Sequence, residues 1–128
     1  MPRKKSPTLT EAELRVMEAL WSKDSATVAE VAAVLPRPPL AYNTVLTTLR
    51  ILERKGYVAH EELGRAFVYR PLVARDTAAQ SAVGQLLTKF FGNNPGELAL
   101  RLIERDRPSD EELARLKSLI EQYEEGQA

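Results

Sequence analysis

The stretch from Tyr42 to Pro71, YNTVLTTLRILERKGYVAHEELGRAFVYRP, changes its hydrophobic period part-way and thereby decides the fold. As far as Lys55 the apolar positions recur at helical spacing. At about 100° per residue, Val45, Leu49 and Leu52 share one face, with Thr48 at its margin. The opposite face carries Asn43, Thr47, Arg50 and Arg54, flanked by Thr44 and Leu46. None of those four is acidic, although a face that is merely solvated normally mixes signs. Gly56 stands where a left-handed residue closes a helix. From Tyr57 the period falls to two. Tyr57–Glu62 and Ala66–Arg70 read as strands joined through Leu63-Gly64-Arg65, and Pro71 ends the second.

Upstream, two helix starts carry capping boxes. In Thr10-Glu11-Ala12-Glu13 and in Thr27-Val28-Ala29-Glu30 a hydroxyl accepts from the N3 amide while a glutamate reaches back to the N-cap N–H. The first box has a staple, Leu9 against Leu14. Leu14, Met17, Leu20 and Trp21 then follow helical spacing to a stop near Ser22–Asp24. A second, shorter helix runs from Val28 to about Leu35, with Val28, Val31, Ala32 and Leu35 on one face. Pro36-Arg37-Pro38-Pro39 forbids helix and makes a stiff connection. Three helices followed by a hairpin is the order of a winged helix, in which a helix-turn-helix pair precedes a hairpin wing.

Downstream the chain is helical again. A fourth helix is expected from about Arg75 to Phe91, with Ala78, Ala82, Val83, Leu86, Leu87 and Phe90 in a wide apolar stripe. Gly92-Asn93-Asn94-Pro95-Gly96 breaks it. Leu98 and Leu102 mark a fifth helix. A third capping box, Ser109-Asp110-Glu111-Glu112, opens a sixth that runs to about Glu125 with Leu113, Leu116, Ile120 and Tyr123 on one side. Three amphipathic helices outside the wing domain need an apolar partner, and a second copy of the chain is the simplest one. The expected fold class is therefore mainly α. A winged helix-turn-helix DNA-binding domain (1–73) is followed by a helical dimerisation domain (74–128), whose contact residues are Leu86, Phe90, Leu98, Leu102, Leu113, Leu116 and Ile120.

Composition narrows the function. The 128 residues contain no Cys and one His, which leaves no disulfide, thiolate nucleophile or Cys-based zinc site and makes a His-rich metal centre improbable. No metal and no cofactor is expected. No apolar run approaches the roughly 18–20 residues that span a bilayer. The basic Met1–Thr10 segment is followed by no apolar region, so no secretory signal and no membrane partner are expected, and the location expected is cytoplasmic. Lysine and arginine together equal aspartate and glutamate at 18 each, yet the balance is local. Residues 1–75 carry 12 basic and 8 acidic side chains, a net of +4, and residues 76–128 carry 6 and 10, a net of −4.

The chemistry that suits the basic half is DNA reading. Arg50 can donate two parallel hydrogen bonds to guanine and Asn43 can pair bidentately with adenine. Thr44 and Thr47 can meet a phosphate, a base edge or a thymine methyl, and Tyr42 and Arg54 suit phosphates near the helix ends. Arg65 beside Gly64 at the wing tip can reach the minor groove or a phosphate. Lys4 and Lys5 read as further phosphate contacts or as a solvated terminus. Trp21, Phe67 and Tyr69 suit core and wing packing better than a stacking platform for single strands. His60 reads as an exposed strand residue, and the Glu104–Glu112 acids as helix-end chemistry. A winged-helix module that docks on another protein is the alternative function. An enzyme has no phosphate loop, nucleophile elbow or carboxylate spacing to support it.

Leu9-Thr10-Glu11-Ala12-Glu13 leading to Val16-Met17 and Leu20-Trp21 resembles the opening of the BlaI/MecI/CopY family of repressors. So do Tyr42-Asn43-Thr44-Val45, Leu52-Glu53-Arg54-Lys55-Gly56-Tyr57, and above all Gly64-Arg65-Ala66-Phe67-Val68-Tyr69 with Pro71-Leu72-Val73. Phe90-Phe91-Gly92 and the last two helices extend the resemblance over nearly all of the chain. It implies a homodimeric winged-helix repressor on a palindromic operator, with Tyr42–Lys55 as recognition helix and the hairpin around Gly64 as wing. The CopY branch carries a cysteine-rich metal tail, so copper sensing through thiolates is excluded here. The β-lactam-responsive branch is cut at an Asn-Phe bond, and the corresponding place in this chain reads Arg101-Leu102.

Overall fold

A computed structural model describes residues 8–127, so Lys4 and Lys5 lie outside the described residues. The chain divides into two compact units, one ending at Gln85 and one beginning at Leu86.

The first unit contains α1 (Glu11–Lys23), β1 (Ala26–Thr27), α2 (Val28–Val34), α3 (Tyr42–Lys55), β2 (Val58–Leu63), β3 (Ala66–Pro71) and the start of α4 (Arg75–Phe91). Both capping boxes form. The Thr10 N–H donates to Glu13 Oε1 at 3.0 Å and the Glu13 N–H to Thr10 Oγ1 at 3.1 Å. Thr27 and Glu30 repeat the exchange at 2.9 and 3.1 Å. α3 lacks a side-chain cap at Ala41 and is instead closed at its far end by Gly56. There a φ of 90° lets the Tyr57 N–H reach back to the Leu52 carbonyl at 2.9 Å.

β2 and β3 form the hairpin in antiparallel register, Leu63 opposite Ala66 and Val58 opposite Pro71. β1, too short to show a period, pairs with the other edge of β3, so the sheet order is β1-β3-β2. The strands run to Leu63 and Pro71, one residue beyond their expected ends. Proline closes β3 as its last residue, where a ladder donor is not needed.

The core lies between α1, α2, α3 and the sheet. Val16, Met17 and Leu20 of α1, Val31 of α2, and Val45, Leu49 and Leu52 of α3 are fully buried, joined by Val58 and Tyr69. The buried face of α1 differs from the expected one at Leu14. Leu14 is 42% exposed, and Val16 takes its place in the core. The apolar stripe of α1 is wider than the surface that α2 and α3 cover, so its Leu14–Trp21 edge is left over. That edge forms a shallow apolar groove with Leu9, Ala78 and Ala82. Trp21 is half-buried, its indole N–H donating to the Val73 carbonyl at 2.8 Å. Arg75 stacks over the Trp21 ring at 4.9 Å and pairs with Glu18 at 2.6 Å, which fastens the start of α4 to α1.

The second unit holds the end of α4, α5 (Pro95–Arg105) and α6 (Asp110–Gln127). The expected break at Pro95-Gly96 is shorter than the composition suggests. Pro95 occupies the first turn of α5, where its missing N–H costs nothing, and Asn94 caps the helix by accepting from the Glu97 N–H at 3.1 Å. Ser109 and Glu112 complete the third capping box at 3.0 and 3.1 Å.

Candidate nucleic-acid interface

Three contacts set α3 in place. At its C-terminal end the Lys55 ammonium donates to Glu13 Oε1 at 2.7 Å, the same oxygen that closes the α1 capping box. Glu13 is itself buried. Burial alone would raise its carboxyl, but the hydrogen bonds from Lys55 and Thr10 together with the lysine charge outweigh this and hold it below the ordinary value. At the N-terminal end Arg15 of α1 donates to the Pro36 carbonyl at 2.7 Å and to that of Pro38, bracing the proline segment that leads into α3. Within the helix the Thr48 hydroxyl donates to the Thr44 carbonyl at 2.7 Å, so its burial leaves no polar atom unmet.

A helix held in this way presents a defined outer face. Tyr42, Asn43, Thr44, Thr47, Arg50 and Arg54 are all exposed on α3. Arg65 is exposed at the hairpin tip, immediately after Gly64 with its φ of 64°. Among the described residues no carboxylate stands at ion-pair distance from Arg50, Arg54 or Arg65. Tyr42, Arg50 and Arg65 come together on one open groove, which Leu46, Phe67 and the start of α2 complete. Asn43, Thr44, Thr47 and Arg54 lie on the same helix outside that groove. The contribution of Thr27–Ala29 and Phe67 to its walls had no signal in the sequence, because it depends on how α2 and the hairpin flank α3.

The aromatic residues divide as packing dictates. Tyr69 is fully buried, while Phe67 is 37% exposed on the hairpin, so the two form no open platform with Trp21. Burial, followed by the nearby Glu53 charge, raises the Tyr69 phenol, and Arg50 partly offsets the rise. His60 is an exposed residue of β2, as expected, and its ring is also engaged. Its ring packs on Phe67 and Tyr69 with centroids 4.6 and 5.2 Å away, and Nδ1 lies 2.8 Å from a carboxylate oxygen of Glu53 on α3.

The family profile described as penicillinase repressor matches residues 9–122, from just before α1 to within α6. The chain belongs to the penicillinase repressor family. It is similar to the penicillinase repressor of Bacillus licheniformis, 30% identical over 121 residues that cover 94% of this chain and 94% of that protein. It is 33% identical over 100 residues to the transcriptional regulator BlaI of Mycobacterium tuberculosis, covering 76% of this chain and 72% of that one. Among solved structures, the DNA binding domain of the repressor BlaI superposes with a TM-score of 0.51 at 34% identity, over 59% of this chain and 93% of that domain.

In the second unit of this family member, Leu98 is buried, whereas Phe90 is 74%, Leu102 54% and Ile120 56% exposed. Leu86 is also exposed, and Leu113 and Leu116 are half-buried. Arg101 lies within α5 and faces Glu97 at 3.6 Å. Among the described residues no helix is long and apolar enough to cross a membrane.

Proposed function

We propose that this penicillinase repressor family member is a cytoplasmic DNA-binding transcriptional repressor that acts as a homodimer on a palindromic operator. Residues 1–73 bind DNA and residues 74–128 hold the two copies together. α3 enters the major groove, where Arg50 reads guanine, Asn43 reads adenine, and Thr44 and Thr47 meet base edges or the adjoining backbone. Tyr42 and Arg54 fix phosphates, and Arg65 carries the wing to the minor groove or backbone. A two-fold axis through the dimer places the two recognition helices about 34–36 Å apart, one helical turn of DNA.

The observation that carries this reading is the outer face of α3. Its exposed side chains are hydrogen-bonding or cationic and unpaired by acids among the described residues, on a helix that is fixed at both ends. A face kept for solubility alone gains nothing from being free of acids. A face that meets phosphate does, because each nearby carboxylate opposes the release of counterions.

The test begins with selection of a duplex from a random DNA pool, followed by gel-shift titration. Arg50→Ala is expected to cost about 1–3 kcal/mol of affinity and to relax preference at one base position. Unchanged affinity would overturn the assignment of the reading face. Binding to random duplex should fall steeply with salt, as counterion release requires. A protein-docking module would show no such dependence.

A further inference from the structure

The side chains on the inner face of β2 pass outward from Val58, which is 1% exposed, through His60 to Glu62 at the open end of the hairpin. His60 stands where the core ends. It lies directly across from Tyr69 in the strand register and rests against both Tyr69 and Phe67. Its Nδ1 is 2.8 Å from one carboxylate oxygen of Glu53 and 3.0 Å from the other, so the ring N–H donates into a carboxylate on α3. Both side chains are about one third exposed, which leaves the contact less screened than one at the open surface. Glu61, Glu62 and Leu63 beyond it are exposed. A two-stranded ribbon without packing support is only marginally ordered in water.

Glu53 is also the one acid on α3. It follows Arg50 by three positions, the spacing at which helical side chains meet, and it adjoins Arg54 in sequence. A carboxylate free to swing there would neutralise Arg50 or repel a phosphate. Engaged by the imidazole, it points to the hairpin.

We propose that His60 is the positioning residue of the wing. It pins the hairpin to α3 through Glu53, sets the reach of Arg65, and keeps the only carboxylate of α3 off the reading face. This role rests on the DNA-binding reading above. Asn43, at the opposite end of α3 from Glu53, contributes to affinity through the helix and does not depend on the pin, whereas Arg65 contributes only when the hairpin is held.

Full-length variants titrated against the duplex selected above test this. His60→Phe keeps a ring against Phe67 and Tyr69 but loses the donor. His60→Asn keeps a donor close to the position of Nδ1. His60→Ala and His60→Phe are expected to bind about three- to tenfold more weakly, and His60→Asn to stay within about twofold of the unmodified protein. Arg65→Ala should cost affinity in the unmodified protein and little in the His60→Phe background, while Asn43→Ala costs the same in both. Full affinity in His60→Phe, additive losses for His60 and Arg65, or an Arg65→Ala variant at full affinity would each overturn the proposal. Should His60→Ala fail to fold, the phenylalanine and asparagine variants decide. Amide hydrogen exchange of residues 61–66 reads the pin without DNA. It should quicken about tenfold or more in His60→Phe, and unchanged exchange would overturn the pin even if no duplex were bound. Failure of the unmodified protein to bind any duplex would instead overturn the DNA-binding reading.

Discussion

At Glu13 a carboxylate that closes the capping box of α1 also receives the Lys55 ammonium from α3, at 2.7 Å. The first contact spans three residues and is written in the local order Thr10-Glu11-Ala12-Glu13. The second spans 42 and exists only because the two helices are brought together. Glu13→Gln is therefore expected to cost about 1.5–3 kcal/mol of unfolding free energy, measured by urea denaturation. The pH dependence follows from the lowered carboxyl. The carboxyl is easier to ionise in the folded chain than in the unfolded one, so its stabilisation is whole above the ordinary glutamate value of 4.5 and is lost as pH falls through the lower folded value. The loss of stability between pH 5 and about pH 3 should be visibly shallower in Glu13→Gln than in the unmodified protein. His60 makes the same point about legibility. One histidine on a strand, with no second histidine or cysteine in the chain, reads as an exposed strand residue, which it is, but its contact with Glu53, seven residues away across a helix end and a turn, has no local signal.

At the scale of elements, α3 joins a buried face to an exposed polar face proposed to read DNA, and the two can be separated by experiment. Leu49 is fully buried, and Leu49→Ala is expected to cost about 2–5 kcal/mol of stability through lost burial and the cavity left behind. Thr47→Ala on the exposed side should leave thermal unfolding within about 0.5 kcal/mol and act only on DNA affinity. Gly56→Ala meets no steric neighbour, but it places a side chain at a φ of +90° and should cost about 1 kcal/mol, read from the denaturation midpoint. The six helices were legible because their periods and caps are local. β1 was not, since Ala26–Thr27 has no period of its own and becomes strand only by pairing with Val68 and Tyr69. Leu14 misled for a related reason. Amphipathic spacing marks which side of a helix is apolar, but not how much of that side its neighbours cover.

Across the whole molecule, the neutral total divides into a basic half that holds α3 and the β2–β3 hairpin and an acidic half that holds α5 and α6. Phe90, Leu102, Ile120 and Tyr123 are each more than half exposed in the second unit, apolar surface that the second copy would cover in the proposed homodimer. Ile120→Asp combined with Leu102→Asp should shift the protein to monomer in light scattering at micromolar concentration. The same variant should weaken binding to the full palindrome far more than to a half-site, because the linked second contact is lost. Leu98 is excluded from that pair because it is already buried. Sequence alone determined the order of the helices and of the two hairpin strands, the three capping boxes and the Gly56 closure, the residues on each face of α3 and the separation of charge. All of these follow from interactions within a few positions of each other or from simple counting. Tertiary structure decided which apolar side chains are covered, that Arg50 and Arg65 share one groove, that Lys55 reaches Glu13 and that His60 reaches Glu53. Those contacts join residues whose distance in space is set by the packing of whole elements, and no local pattern encodes that distance.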